Sequence, residues 1–337
     1  MFYRWRRMEE EDRGRVWRLY GWFTALMTCG SCFGAMAWTA LMFNLLNAFK
    51  ANDGSRTTDL AQIAALFAPA YNWFSAFLVT YAIEFLCMCA AKLMVLDRMT
   101  GFVALQSSYA QTRWAAAGRV VMAAVVLGNA VGRAANVAAA VHYQEAASMM
   151  NIASLLYTNN NSQSGLQYEA RCQQELQRGG SIASVQSFSE VAVLLLILTA
   201  FAVVGVLCAR RINSSLLGLD AASAAAASHR TLRLQMASTA AFVFVTFLLR
   251  AVFSTMYAVA FQLRDTDKQC PGEQNDCDPS CYNVFTFISE WMSYTPEFQS
   301  IIVLISSPLG LLIALWAMTS ERMLQRMTSN DLSVRLM

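Results

Sequence analysis

The chain has 337 residues, of which 56% are hydrophobic and 14% are charged, and its formal net charge is +3. Soluble domains carry about 25% charged residues, so the composition argues against a soluble globular protein. The small net charge, without a basic face interleaved with aromatic residues, excludes nucleic acid as a partner. The apolar residues form long runs, and a helix needs about 20 such residues to cross a bilayer core of about 30 Å.

These runs predict an all-α, polytopic transmembrane bundle of about six spans. In chain order the spans are residues 19–47, 68–96, 116–141, 189–209, 235–262 and 297–319. The predicted organisation is an interfacial N-terminal segment at 1–18, a bundle at 19–320 with outer loops at 142–188 and 263–296, and a tail at 321–337.

Small residues predict where the helices pack. Gly30 and Gly34 in the first span have the G-x-x-x-G spacing that lets a second helix approach closely. The third span is rich in alanine and glycine, and we expect it to pack inside the bundle rather than face lipid.

Basic residues predict the orientation. Of the 25 Lys and Arg residues, 17 fall on the side that holds both termini and six fall on the opposite side. Basic residues accumulate on the cytosolic side of membrane proteins, so we expect both termini to be cytosolic, in a plasma membrane or an endomembrane.

The predicted outer side also carries the features of an oxidising compartment. Asn160 opens an N-x-S glycosylation sequon. Four loop cysteines lie on this side, Cys172, Cys270, Cys277 and Cys281. They predict disulfides, and the sequence does not choose among the three pairings; one option ties Cys172 to the loop of the other three.

Ionisable and amide side chains inside spans are the candidates for a ligand site or an ion pathway, because burying them in lipid is costly. The five candidates are Glu84, Asn129, Arg133, Asn136 and Arg250. The i, i+4, i+7 spacing of the three residues on the third span predicts one shared helix face. We expect an interior polar cluster with Glu84 facing an arginine. The alternative is a packing role, in which the polar groups only fix helix register.

The inner end of the second span holds a charged pair, Asp97-Arg98. This pair resembles the acidic–arginine pair at the inner end of the third helix in G-protein-coupled receptors. The resemblance covers two residues, and it implies a seven-helix receptor-like bundle lacking one helix, with a cytosolic protein partner at the basic inner loops. Lys92, one turn earlier, is expected to extend to the lipid headgroups.

No motif of a known catalytic class stands in a suitable context, so we expect no enzymatic activity and no cofactor. The two histidines, His142 and His229, lie on opposite sides of the predicted bundle, so no metal site is expected. The leading hypothesis is a receptor-like or ligand-sensing membrane protein that binds a small-molecule or anionic ligand. The alternatives are a transporter or channel for a small or anionic solute, and a non-catalytic scaffold subunit.

Overall fold

The computed structural model describes residues 10–52, 59–104, 108–216, 241–242, 244–256, 258–259, 287–288 and 291. This part of the chain is helical apart from residue 59 and the turn at 159–161, and it contains no strand. The helices are α1 Glu10–Asn52, α2 Leu60–Ala104, α3 Ser108–Thr158, α4 Ser162–Leu216 and α5 Phe244–Met256. The predicted all-α class is therefore confirmed for the described residues.

Helices α1 to α4 are long and apolar enough to cross a membrane. The stretches that meet this criterion are Gly21–Ala51, Leu60–Asp97, Ala116–Thr158 and Ser162–Leu207. They overlap the first four predicted spans to within two residues at the ends that they miss, and they are consistent with an integral membrane location. The short helix α5 covers only part of the fifth predicted span, and the sixth lies outside the described residues. A count of six spans therefore stays a prediction.

These four helices are also longer than a membrane crossing requires. They contain 43, 45, 51 and 55 residues, or roughly 65–80 Å at a rise of 1.5 Å per residue, against a bilayer core of about 30 Å. Residues 142–188, predicted as an outer loop, are helical except at the turn. The segment contains no proline, so nothing interrupts the helical hydrogen bonds. We call residues 142–158 and 162–188 the hairpin extension.

The turn between α3 and α4 has a defined geometry. The N–H of Asn161 donates to the carbonyl of Leu156 at 3.0 Å, and the N–H of Asn160 donates to the carbonyl of Tyr157 at 3.1 Å. With Asn160 at a φ of 56°, this is the Schellman motif that closes a helix C-terminus. A Cβ on Gly165 would lie 2.6 Å from the Tyr157 ring, so any larger residue there would force the ring to move.

Contacts divide the chain into two units. Unit 1 comprises residues 1–90, 127–191 and 254–294, and unit 2 comprises residues 91–126, 192–253 and 295–337. The core of unit 1 combines small and aromatic side chains, among them Ala37, Ala68, Phe74, Phe77, Ala139, Tyr143, Ala146 and Ala183. Small residues let helix backbones approach closely where lipid gives no hydrophobic driving force.

Hydroxyl groups connect neighbouring helices within unit 1. Ser75 Oγ donates to the carbonyl of Ala140 at 2.9 Å, which joins α2 to α3. Ser189 Oγ donates to the carbonyl of Gly128 at 2.8 Å, which joins α4 to α3. Both bonds satisfy hydroxyl donors where water is scarce.

The expectation that the third span packs inside the bundle is wrong. In the most apolar 18-residue window of each helix, 61% of the residues are buried in α2 but only 22% in α3. Alanine and glycine permit close packing on one stripe of α3, while its other side carries Val120, Leu127 and Val131, which are exposed. Of the four long helices among the described residues, the second and not the third has the largest buried fraction.

Candidate functional site

Glu84 lies in the interior of unit 1, where α2 packs against α1. Its side chain is 4% exposed, and a Cβ on Gly34 would lie 3.2 Å from the Glu84 carboxyl carbon. A Cβ on Gly30 would lie 3.2 Å from Cys87 Cβ. The predicted close approach at the G-x-x-x-G pair is therefore confirmed, and it occurs at the carboxyl group of Glu84.

A second buried carboxylate, Glu190, collects hydrogen bonds from three helices of unit 1. Tyr81 Oη on α2 donates to both carboxylate oxygens, at 2.8 and 2.9 Å. Gln186 Nε2 on α4 donates at 3.1 Å, and Ser254 Oγ on α5 donates at 3.0 Å. We call Tyr81, Gln186, Glu190 and Ser254 the interior node. Charge-assisted hydrogen bonds of this kind are stronger than neutral ones, so the node fixes the three helices together.

The three polar residues predicted to share one face of α3 separate in the structure. Asn129 and Asn136 are buried, at 5% and 1% exposure. Arg133 is exposed, and its Nε donates to the carbonyl of Asn129 at 3.3 Å. Position 133 lies roughly 60° around the helix axis from position 136, and this offset lets the long side chain leave the packed face. An interior cluster that includes Arg133 is therefore wrong.

Two cations are fully buried in unit 2. Lys92 and Arg250 each have 0% exposure, and Thr246, one turn before Arg250, is buried as well. Lys92 Nζ lies 4.4 Å from the centroid of the Phe247 ring, whose edge contact with Phe201 joins α4 to α5. The expectation that Lys92 extends to the headgroups is wrong, because this cation–π contact holds the ammonium group inside the unit. Glu84 belongs to unit 1, so its pairing with Arg250 stays a prediction.

The hairpin extension carries a third set of charged residues, in unit 1. His142 Nδ1 lies 2.7 Å from Glu175 Oε2, and Arg178 Nη1 donates to Glu175 Oε1 at 2.8 Å. The hydrogen bond with His142 and the charge of Arg178 lower the pKa of Glu175, against its partial burial. Glu145 stands one turn after His142 on α3, and the ligand atoms of His142, Glu145 and Glu175 all lie within 4.8 Å of one another.

A shallow cleft of about 450 Å³ opens beside this set, and we call it the extension cleft. Its lining residues are His142, Gln174, Gln177, Arg178, Ser181 and Ile182. The two helices approach closely at Gly179, where a Cβ would lie 3.3 Å from His142 Cβ. This close approach brings the imidazole of α3 to the carboxylate of α4.

This set was not among the predicted sites, because residues 142–188 were predicted to form a loop. The signal that could have found it is the His-x-x-Glu spacing at 142 and 145, since residues three apart share a face once the segment is helical. Glu175 has no comparable signal, because its approach to His142 depends on how α3 and α4 pack.

The predicted disulfide of Cys172 is wrong. Its thiol is free and fully buried, because the helical hairpin turns this position into the core of unit 1. Burial raises the pKa of the Cys172 thiol, which lies in the hairpin extension, to about 12, so the thiol stays protonated and unreactive. The other three candidates, Cys270, Cys277 and Cys281, lie outside the described residues.

Two other predicted sites, Asn160 and Asp97, are on the surface. Asn160 is exposed in the turn at the tip of the hairpin extension, as a glycosylation site requires. Asp97 is exposed near the end of α2, where Thr100 Oγ1 donates to its carbonyl at 2.8 Å. The structure describes the backbone of Arg98 but not its side chain.

Searches against protein-family models, curated proteins and solved structures find no match for this chain. The four long apolar helices among the described residues are consistent with the class of helical membrane proteins.

Proposed function

We propose that this protein is a receptor-like, ligand-sensing membrane protein whose ligand binds at the hairpin extension, and that it has no enzymatic activity. The observation that carries the proposal is the His142–Glu175–Arg178 set beside the extension cleft. A cleft of about 450 Å³ is within the range of about 300–1,000 Å³ that small ligands occupy. A helix does not need the additional length of the hairpin extension in order to cross a membrane.

Helix α4 offers a route by which a bound ligand could act on the membrane interior. Glu175, Ile182, Gln186 and Glu190 recur at spacings that put them along one face of α4. Glu175 and Glu190 are 15 residues apart, roughly 22 Å along a helix. A ligand that pulls on Glu175 would shift α4 and strain the interior node, where Glu190 accepts hydrogen bonds from Tyr81 on α2 and Ser254 on α5. The interior node, rather than the interior polar cluster predicted around Glu84, is then the element that responds to the ligand.

The test uses the full chain in lipid nanodiscs and measures amide hydrogen exchange along α4. The ligands tested are transition-metal ions, inorganic anions and small zwitterions, each added separately. We expect one class to change exchange both near Glu175 and near Glu190. In Glu190→Gln the change should stay confined to the extension, while Asp97→Asn, which removes an exposed carboxylate, should behave like the parent. An identical response in Glu190→Gln, or no response to any class, would overturn the proposal.

The buried cations favour a second function, a transporter or channel for a small or anionic solute. Ionisable groups inside a membrane bundle commonly mark solute pathways, and Lys92 and Arg250 are both fully buried. Chloride flux in proteoliposomes that is lost in Lys92→Met or Arg250→Gln would support this function. If these variants only unfold, and no flux occurs with the parent chain, the scaffold role remains, including its predicted cytosolic partner at the basic inner loops.

A further inference from the structure

We propose that His142, Glu145 and Glu175 form a binding site for a divalent transition-metal ion, for which Zn²⁺ is the best-suited probe. The site itself is independent of the receptor role. That this ion is the ligand sensed by the protein rests on the proposed function.

The spacing of the three residues suits a small metal ion. Zn²⁺ binds imidazole nitrogen and carboxylate oxygen at about 2.0–2.2 Å, so ligand atoms around one ion stand roughly 3–3.6 Å apart. The candidate atoms of His142, Glu145 and Glu175 already lie within 4.8 Å of one another. A rotation of side chains closes the remaining gap without a movement of either helix.

The backbone supplies the ligands from two directions. His142 and Glu145 are three residues apart and therefore project from the same face of α3. Glu175 reaches them from α4, across the close approach at Gly179. Three protein ligands leave a fourth position for water, as in open zinc sites. Because Glu145 is exposed and the extension cleft lies beside His142, an ion can enter from solvent.

The chemistry of the set favours a transition metal over Mg²⁺ or Ca²⁺. An imidazole with two carboxylates balances a dication, whereas Mg²⁺ and Ca²⁺ bind sites made of oxygen ligands. The contact of 2.7 Å between His142 Nδ1 and Glu175 Oε2 shows that the imidazole and the carboxylate already point at one another. An ion bound by Nδ1 would take the place of this hydrogen bond, and the neutral imidazole would then carry its proton on Nε2. The exposed Glu145 carboxylate makes no hydrogen bond or ion pair within the described residues.

Substitution of Arg178 distinguishes a metal site from a simple network of ion pairs. Its guanidinium occupies Glu175 Oε1 at 2.8 Å, where it stabilises the carboxylate but repels an arriving dication. If the set is only an ion-pair network, Arg178→Gln weakens it. If the set binds metal, Arg178→Gln removes the repulsion and strengthens metal binding.

The experiment titrates metal-free full-length protein in nanodiscs with Zn²⁺ against a chromogenic chelator, and repeats the titration with Co²⁺ and Mg²⁺. We expect one Zn²⁺ site that Glu145→Gln and His142→Ala each weaken by at least about tenfold, and that Arg178→Gln strengthens. His229→Ala, which removes the other histidine of the chain, is the matched control and should bind like the parent. The chain also has two exposed cysteines, Cys29 and Cys32, which could bind the ion instead. The Co²⁺ spectrum tests this, because binding at the proposed site should give no thiolate charge-transfer bands.

Three outcomes would overturn the metal site: binding unchanged in Glu145→Gln, thiolate bands in the Co²⁺ complex, or affinity for Mg²⁺ equal to that for Zn²⁺. Glu145 is exposed, so Glu145→Gln is not expected to unfold the protein and its result can be interpreted. Hydrogen exchange separates this proposal from the receptor role. If Zn²⁺ binds at the site but exchange near Glu190 does not change, the metal site stands and the ion is not the ligand that the protein senses. If another ligand changes the exchange and Zn²⁺ does not bind, the receptor proposal stands and the metal site is wrong.

Discussion

Helices α2 and α3 have similar lengths and similar alanine-rich compositions, yet they occupy opposite environments. Most of the apolar window of α2 is buried, and most of that of α3 is exposed. The buried helix is the one with polar groups on several sides, since Ser75, Tyr81, Glu84 and Lys92 all lie on it. Lipid offers these groups no hydrogen-bond partner, so α2 must be surrounded by protein.

Helix α3 shows the opposite solution. Its packed stripe carries Asn129, Asn136, Ala139, Ala146 and Ala153, which are all buried. The exposed surface of the third span carries mainly valine and leucine, which lipid accommodates without any partner, and Arg133 on it donates to the carbonyl of Asn129 on the same helix. Polar groups on several sides of a helix therefore favour its burial, as in α2. Small residues, as in α3, make only one face suitable for close packing.

The largest expected difference between the two helices concerns side-chain truncation. Phe77→Ala on α2 removes a buried ring that stacks on Tyr81 at a centroid distance of 5.5 Å, and we expect a loss of about 3–5 kcal/mol in the free energy of unfolding. Val131→Ala on the exposed side of α3 should change it by less than about 0.5 kcal/mol. SDS titration of the purified protein measures both values. Equal losses would show that α3 is as enclosed as α2.

A smaller difference is expected for added volume. A leucine at position 34 must displace the Glu84 carboxyl group, which lies 3.2 Å from the ideal Cβ, and we expect Gly34→Leu to cost about 1–3 kcal/mol. Position 118 on α3 has no atom within 4 Å of an added Cβ. Gly118→Leu should therefore be neutral, or stabilising by up to about 1 kcal/mol through helix propensity. The same SDS titration compares them, and a tolerant Gly34 would argue against close packing of α1 on α2.

The smallest structural effect is expected at the tip of α3. Asn160→Gln should cost no more than about 1 kcal/mol, because glutamine adopts the positive φ of this position less readily than asparagine. It should also remove a glycan-dependent shift in electrophoretic mobility when the protein is made in a glycosylating cell. The sequon at Asn213, Asn-Ser-Ser, is the internal control, because the charge distribution predicts that it faces the cytosol. A glycan on Asn213 instead of Asn160 would reverse the predicted orientation and place the hairpin extension in the cytosol.

Features that depend on local sequence could be predicted. Features that depend on residues of other helices could not. The first four spans and the close packing at Gly30 and Gly34 follow from apolar length and glycine spacing alone. The fate of Lys92 depends on Phe247 from a distant helix, and that of Cys172 on the helical hairpin that turns it inward. Within the interior node, spacing along α4 could suggest only the bond from Gln186 to Glu190, while the bonds from Tyr81 and Ser254 come from other helices and have no local signal.

By itself, the sequence determined that this chain forms long apolar helices, because the length and hydrophobicity of each run are local properties that a bilayer selects directly. Tertiary structure alone decided that Glu190 is bound by three donors, that Arg133 leaves the packed face and that His142 meets Glu175. These outcomes depend on the rotation and approach of whole helices. Many weak contacts set that geometry together, and no single stretch of residues encodes it.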